Sequence, residues 1–176
     1  MRLLGPTHLV IPCRSEAEAQ QALERVREWT ASVGLQLHPQ KTRIVDAAQA
    51  GGFDFLGYHF ERGLRWPRVK SLRKLKDTVR AKTQRRNGHS LEAIIVDLNR
   101  TLKGWFEYFK HSHKPTFPKV DQWVRMRLRS ILRRRQHRRG QGRGWDHRRW
   151  PNAFFAEHGL ISLAAAQART CQSSRR

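Results

Sequence analysis

Cysteine is almost missing from this chain: Cys13 and Cys171 stand at opposite ends of 176 residues, with no Cys-x-x-Cys spacing. That excludes a disulfide framework and a cysteine zinc site, and it is the usage of a reducing compartment. Long apolar runs are missing too. No stretch approaches the roughly 18 residues a membrane span requires, and the amino terminus lacks the apolar core of a signal peptide, so a cytoplasmic protein with no membrane partner is expected. Carboxylates are scarce, with 14 Asp/Glu against 36 Lys/Arg. There is no glycine-rich phosphate loop and no serine or cysteine nucleophile beside an identifiable base. His111 and His113 flank Ser112, and His137 and His147 follow, yet no spacing matches a closed zinc site, so no metal ligand is assigned. The apolar fraction of 38% lies below the globular average and implies a thin core.

Positive charge is what the chain has in abundance, and it is unevenly placed. Up to Glu61, six Lys/Arg face seven Asp/Glu, a net charge of −1; from Arg62 onward thirty face seven, a net +23. The first part reads as an ordinary folded segment. The second reads as a polyanion-binding surface, whose field raises both affinity and association rate for nucleic acid. A single basic cluster is equally well a solvated helix face, but sustained over the whole second part this density points to nucleic acid. Asp97, Glu107 and Asp121, scattered among these cations, read as ion-pair partners rather than general acids or bases.

Periodicity divides the chain at Pro67. Before it, Leu9 to Ile11 is a short β-rich run, and Ser15 with Glu18 forms a capping box ahead of a helix whose Ala19, Ala22, Leu23, Val26, Trp29 and Val33 make one buried stripe ending at Gly34. Further strands are expected at Leu35 to Leu37, Arg43 to Val45, Phe53 to Phe60 and Leu64 to Trp66, the last two joined through Arg62-Gly63. After Pro67 the pattern is helical. Ser71 is a candidate cap for a helix with Leu72, Leu75 and Val79 on one face. Ser90 caps a second, in which Leu91, Ile94, Ile95, Leu98, Leu102, Trp105, Phe106 and Phe109 keep the 3.6 period. Pro115 and Pro118 interrupt, and a third helix turns Val120, Trp123, Val124, Leu128, Ile131 and Leu132 inward. From Arg133 to Arg149 glycines and basic residues predict a loop or frayed helix. Trp145, Trp150, Phe154, Phe155, Leu160, Ile161 and Leu163 then return to the bundle, and a disordered tail is expected from Thr170.

Three blocks carry a family resemblance. Gly34-Leu35-Gln36-Leu37-His38-Pro39-Gln40-Lys41-Thr42-Arg43 and Gly52-Phe53-Asp54-Phe55-Leu56-Gly57-Tyr58 resemble the last palm blocks of group II intron reverse transcriptases, and Leu102-Lys103-Gly104-Trp105-Phe106-Glu107-Tyr108-Phe109 is similar to part of that family's thumb, or maturase-specific region. The resemblance implies an α+β chain: residues 1–66 a small antiparallel palm-sheet remnant with one helix, 67–169 a helical thumb-like maturase domain, and 170–176 a basic tail. Leu9-Val10-Ile11-Pro12-Cys13-Arg14-Ser15 matches the segment that follows the family's Tyr-Ala-Asp-Asp turn. Gly5-Pro6-Thr7-His8 stands where that turn belongs, so neither metal-binding Asp is present and no polymerase activity is expected of the chain alone. Magnesium would enter only with a partner that carries the metal carboxylates.

The implied partner is group II intron RNA or a related structured RNA, and the implied role is assistance in splicing. The residues assigned to nucleic-acid contact are Lys41, Tyr58, Arg73, Lys74, Lys76, Arg80, Arg125, Arg127, Arg129, Arg133, Arg134, Arg138 and Arg148, the arginines because guanidinium groups grip phosphate oxygens in pairs and stack on exposed bases. Trp145 and Trp150 beside Arg143, Arg148 and Arg149 resemble an aromatic-basic platform, though both tryptophans fit a core equally well. Three alternatives stand beside this reading: the carboxyl-terminal half of a split RNA-directed DNA polymerase completed by an amino-terminal reverse transcriptase fragment, a truncated relic of a mobile element, and a non-specific nucleic-acid-binding protein.

Overall fold

The computed structural model describes residues 9–138 and 144–173. The fold is α+β, with three strands and seven helices among the described residues, and the chain divides into compact units at 1–64 and 65–176. In the first, helix α1 (Glu16–Ser32) starts as the capping pattern dictates: Ser15 Oγ accepts from Glu18 N at 3.2 Å, and the Glu18 carboxylate accepts from Arg14 N at 2.7 Å. It ends in a Schellman turn, with Gly34 N donating to Ala31 O and Leu35 N to Thr30 O. Strands β1 (Phe53–Phe55), β2 (Tyr58–Glu61) and β3 (Leu64–Pro67) form a sheet in that order. Phe55 opposes Tyr58, so the expected unbroken strand from Phe53 to Phe60 is a two-residue hairpin instead. Its central residues, Leu56 and Gly57, have φ of 45° and 81°, the positive pair that matches strand twist in such turns. Phe53 and Phe60 stack across the ladder with centroids 5.2 Å apart.

The other expected strands of this unit are not formed. Residues 9–11, 35–37 and 43–45 have no ladder partner, and Leu9, Val10, Ile11, Leu35 and Ile44 are exposed. A triplet of apolar residues holds an extended conformation only when a neighbour takes up its backbone groups and a layer covers its face. The same shortage affects α1. Ala19, Ala22, Leu23 and Val26 are half-buried, while Trp29 and Val33, expected in the same stripe, are 63% and 51% exposed.

The second unit holds the core. Its helices are α2 (Val69–Lys82), α3 (Leu91–Phe109), α4 (Thr116–Arg135), α5 (Gly144–Arg149), α6 (Asn152–Glu157) and α7 (Leu163–Ser173). One cluster joins Leu75 and Val79 of α2 with Ile94, Ile95, Leu98, Leu102 and Phe106 of α3, and with Phe117, Val120, Val124, Leu128 and Ile131 of α4. Trp150, Phe155 and Leu163 close it. Helix α3 follows its expected pattern throughout: Ser90 Oγ accepts from Ala93 N at 3.1 Å, and all the apolar positions named for it are buried except Trp105, which is half-buried. Glu92 in its first turn is held below the usual carboxylate range, chiefly by a bond to its own backbone N–H and then by the Ser90 hydroxyl. Its contribution is therefore present at neutral pH and lost as pH falls through the lowered value.

Several boundaries differ from the sequence expectation. Helix α2 begins two residues ahead of Ser71, which sits inside the first turn, and Arg68 takes the N-cap position instead. Pro118 does not interrupt α4; it occupies the first turn, where a backbone N–H has no intrahelical acceptor to lose. Trp145 is 74% exposed and stays out of the bundle. Residues 133–135 continue α4, residues 144–149 form α5, and 139–143 lie outside the described residues. The tail expected from Thr170 is helical through Ser173, and residues 174–176 lie outside the described set. The cause is a cap that no local pattern reveals. Asp121, 5% exposed on α4, accepts from Ser162 Oγ at 2.8 Å, Leu163 N at 3.0 Å and Ala164 N at 3.2 Å, while Ser162 Oγ accepts from Ala165 N. The first N–H groups of α7 are thus satisfied, and its Ala-rich run has high helix propensity. Asp121 serves a helix end and not a cation. Asp121→Ala should lower unfolding stability by about 2–3 kcal/mol through the orphaned buried donors, read by urea denaturation of the full chain.

Candidate nucleic-acid interface

The same two helices carry both solvent-facing cations and cations tied into the fold. On α2, Arg73, Lys74 and Arg80 are exposed and Lys76 is half-buried. The Trp123 ring of α4 lies against two of them, with Lys76 Nζ 5.8 Å and Arg80 Cζ 5.7 Å from its centroid. The ring quadrupole attracts both and holds two charges beside a flat apolar surface. One turn farther along α4, Arg127 donates from Nε to Thr83 Oγ1 at 3.0 Å and from Nη2 to Thr83 O at 2.9 Å, anchoring α4 to the end of α2. Burial, followed by the nearby Arg85 and Arg80 guanidinium groups, holds Arg127 below the usual arginine range. Lys76, Arg80, Arg85 and Arg127 therefore share one neighbourhood, in which Asp77 pairs with Arg80 at 2.6 Å.

Farther along α4 the assigned contacts separate. Arg129 is 2% exposed; its Nε donates to Trp150 O and its Nη2 to Asn152 Oδ1, each at 3.0 Å, and its guanidinium lies 5.2 Å from the Phe155 ring centroid. Burial and then Arg125 lower its affinity for its proton, with Asp146 opposing them. Arg133 is half-buried, and its Nη1 meets the Asp146 carboxylate at 2.7 Å, with Asp146 itself 1% exposed. Arg129 is thus buried and not an open surface cation, and Arg127 and Arg133 hold internal partners. Their charge belongs to the assembly of α4 with its neighbours. Arg134, Arg138 and Arg148 are exposed, and Arg125 is half-buried.

Lys41 and Tyr58 belong to the first unit. Lys41 is exposed in a turn closed by its own N–H to His38 O at 3.1 Å, and Tyr58 is half-buried, 6.0 Å from the Phe60 ring. The tryptophan pair read as one platform is divided: Trp150 is buried and Trp145 is 74% exposed. Trp123, assigned to the core from its spacing, is the aromatic that two cations cover. No local pattern could have found this, because its cations come from a helix about forty residues earlier.

Against this geometry, residues 72–151 match the family described as group II intron, maturase-specific domain. The helical unit carries a maturase-specific domain. The matched span contains the Trp123 stack, the buried Arg129 and the Arg133–Asp146 pair. A group II intron maturase-type role follows from the domain. No curated protein matches the chain. Among the described residues no helix is long and apolar enough to cross a membrane, and no three His, Cys, Asp or Glu side chains are grouped to hold a metal ion. Gly5-Pro6-Thr7-His8, aligned by resemblance with the polymerase turn, lies outside the described residues.

The division between surface and internal cations is testable residue by residue. Arg129→Ala should destabilise the maturase domain by about 3 kcal/mol, because it strips the buried Trp150 carbonyl of its donor, loses the bond to Asn152 and leaves a cavity. The double variant Lys76→Gln, Arg80→Gln should leave the melting temperature nearly unchanged while weakening RNA binding about tenfold. Calorimetry and filter binding on the same preparations read both effects. The reverse pattern would refute the assignment.

Proposed function

We propose that this chain binds group II intron RNA, or a structured RNA like it, through the basic face of its maturase-specific domain and thereby assists the RNA to fold for splicing. The observation that carries the reading is the coincidence of that domain with a net charge of +23 from Arg62 onward. In this reading Arg73, Lys74, Arg80, Arg134, Arg138 and Arg148, all exposed, contact phosphate oxygens, and the Trp123 stack offers an apolar edge among cations. Lys41 and Tyr58 of the first unit are assigned to RNA contact in the same reading. The chain alone performs no polymerisation in this reading, since Gly5-Pro6-Thr7-His8 supplies no carboxylate.

A second reading is favoured by one specific observation. Leu9, Val10, Ile11, Trp29, Val33, Leu35 and Ile44 of the first unit are all exposed, which suits a surface covered by an amino-terminal palm fragment of a split reverse transcriptase. The two readings share the RNA interface and differ in chemistry.

The deciding experiment is competition binding between folded intron RNA and a duplex of equal length. Folded RNA presents loop bases and groove shapes that a regular helix hides, so the parent should prefer it, with affinity falling roughly a thousandfold from low to moderate salt if about six phosphates are neutralised. Equal binding to both RNAs favours a non-specific nucleic-acid-binding protein. Template-dependent primer extension on adding an amino-terminal fragment with its own Asp pair favours the split enzyme.

A further inference from the structure

Pro118, Gln122, Arg125 and Arg129 recur on α4 at steps of four, three and four residues and so share one stripe of the helix. With His147 of α5 and Asn152 of α6 they line a hollow of about 290 Å³. Its electrostatics are one-sided. Arg129 is 2% exposed, yet the partners it donates to, the Trp150 carbonyl and the Asn152 amide oxygen, are both neutral. Among the described residues no ion pair involves Arg125 or Arg129. The segments outside the described set contain no Asp or Glu that could serve them. Asp146 is the one carboxylate felt by Arg129, and it meets Arg133 at 2.7 Å. A buried guanidinium without a counter-charge is costly, and a second guanidinium and an imidazole at the same hollow add to the imbalance.

An anion seated there would supply the charge the chain withholds. Paired guanidinium groups match the oxygens of a phosphate, and the volume, roughly ten waters' worth, exceeds what a phosphate alone fills. We propose that this hollow takes one phosphate of bound RNA, held by Arg125 and Arg129 with His147 at the rim, and its attached ribose against Pro118 and Gln122. The assignment rests on the RNA-binding reading and adds to it a discrete nucleotide site, distinct from the open cations around Trp123.

The test adds a carboxylate to the hollow. In Gln122→Glu the new side chain is positioned to pair with Arg125 and Arg129, so the melting temperature should rise while RNA affinity falls about tenfold. Gln172→Glu, at an exposed position of α7, changes net charge equally and should alter affinity by no more than about twofold. Arg125→Gln should also lose about tenfold. In the parent, the His147 imidazole resonances should move on adding a short RNA oligonucleotide and on adding inorganic phosphate. An equal shift with and without a 5′-phosphate on the oligonucleotide assigns the site to an internal phosphodiester; a shift only with it assigns the site to a chain end. If the parent binds RNA while both hollow variants behave like Gln172→Glu and His147 stays unmoved, the inference is overturned. If His147 responds to phosphate but the chain does not bind RNA, the phosphate site stands and the RNA-binding reading fails.

Discussion

From Arg62 onward seven carboxylates accompany thirty cations, and six of the seven meet a partner within the chain, Asp121 and Asp146 in the interior and the others at the surface. Asp121 caps α7, Asp146 meets Arg133, Asp97 meets Lys82 at 2.5 Å, Asp77 meets Arg80, and Glu107 meets Lys110. Glu92 is bound at the start of α3, with His158 3.7 Å away. What these acids hold is geometry: helix ends, the junction of α4 with α5, and the pairing of α2 with α3. The remaining positive charge has no counterpart in the chain. Like-charge repulsion of this size opposes compaction, and the α2–α3–α4 core must outweigh it. Under the proposed RNA binding, a polyanion relieves that repulsion, and stability and binding then depend on the same imbalance.

Legibility in the sequence followed from how local each determinant is. Helix α3 was readable to its cap because Ser90 and the apolar 3.6 period are all contiguous. The core face of α4 was readable for the same reason. The burial of Arg129 was not readable, because its partners, the Trp150 carbonyl and Asn152, come from more than twenty residues downstream. A signal was nonetheless present: Arg129 sits directly beside Leu128 and eight residues after buried Asp121, at the edge of the inward stripe. Helix α7 was missed beyond Leu163 because its cap is supplied by α4, and its Ala residues carry little hydrophobic signal.

The first unit shows the opposite limit. Its apolar triplets have the composition of strands, but composition cannot provide a neighbour, and 9–11, 35–37 and 43–45 remain without ladders. Only the segment with its own tight turns, from Phe53 to Pro67, forms a sheet. The resemblance of this unit to a polymerase palm thus stands on its motifs, while the maturase-specific domain stands on a family match and a closed core.

The central claim is that RNA is met chiefly by the uncompensated cations of the maturase-specific domain, with Lys41 and Tyr58 the contacts from the first unit. Ultraviolet cross-linking of the full chain to folded intron RNA, with the linked peptides identified by mass spectrometry, tests it most directly. The account predicts adducts concentrated in residues 73–80, around Trp123 and from Arg134 to Arg148, with few between 9 and 40. Adducts confined to the first unit would contradict it.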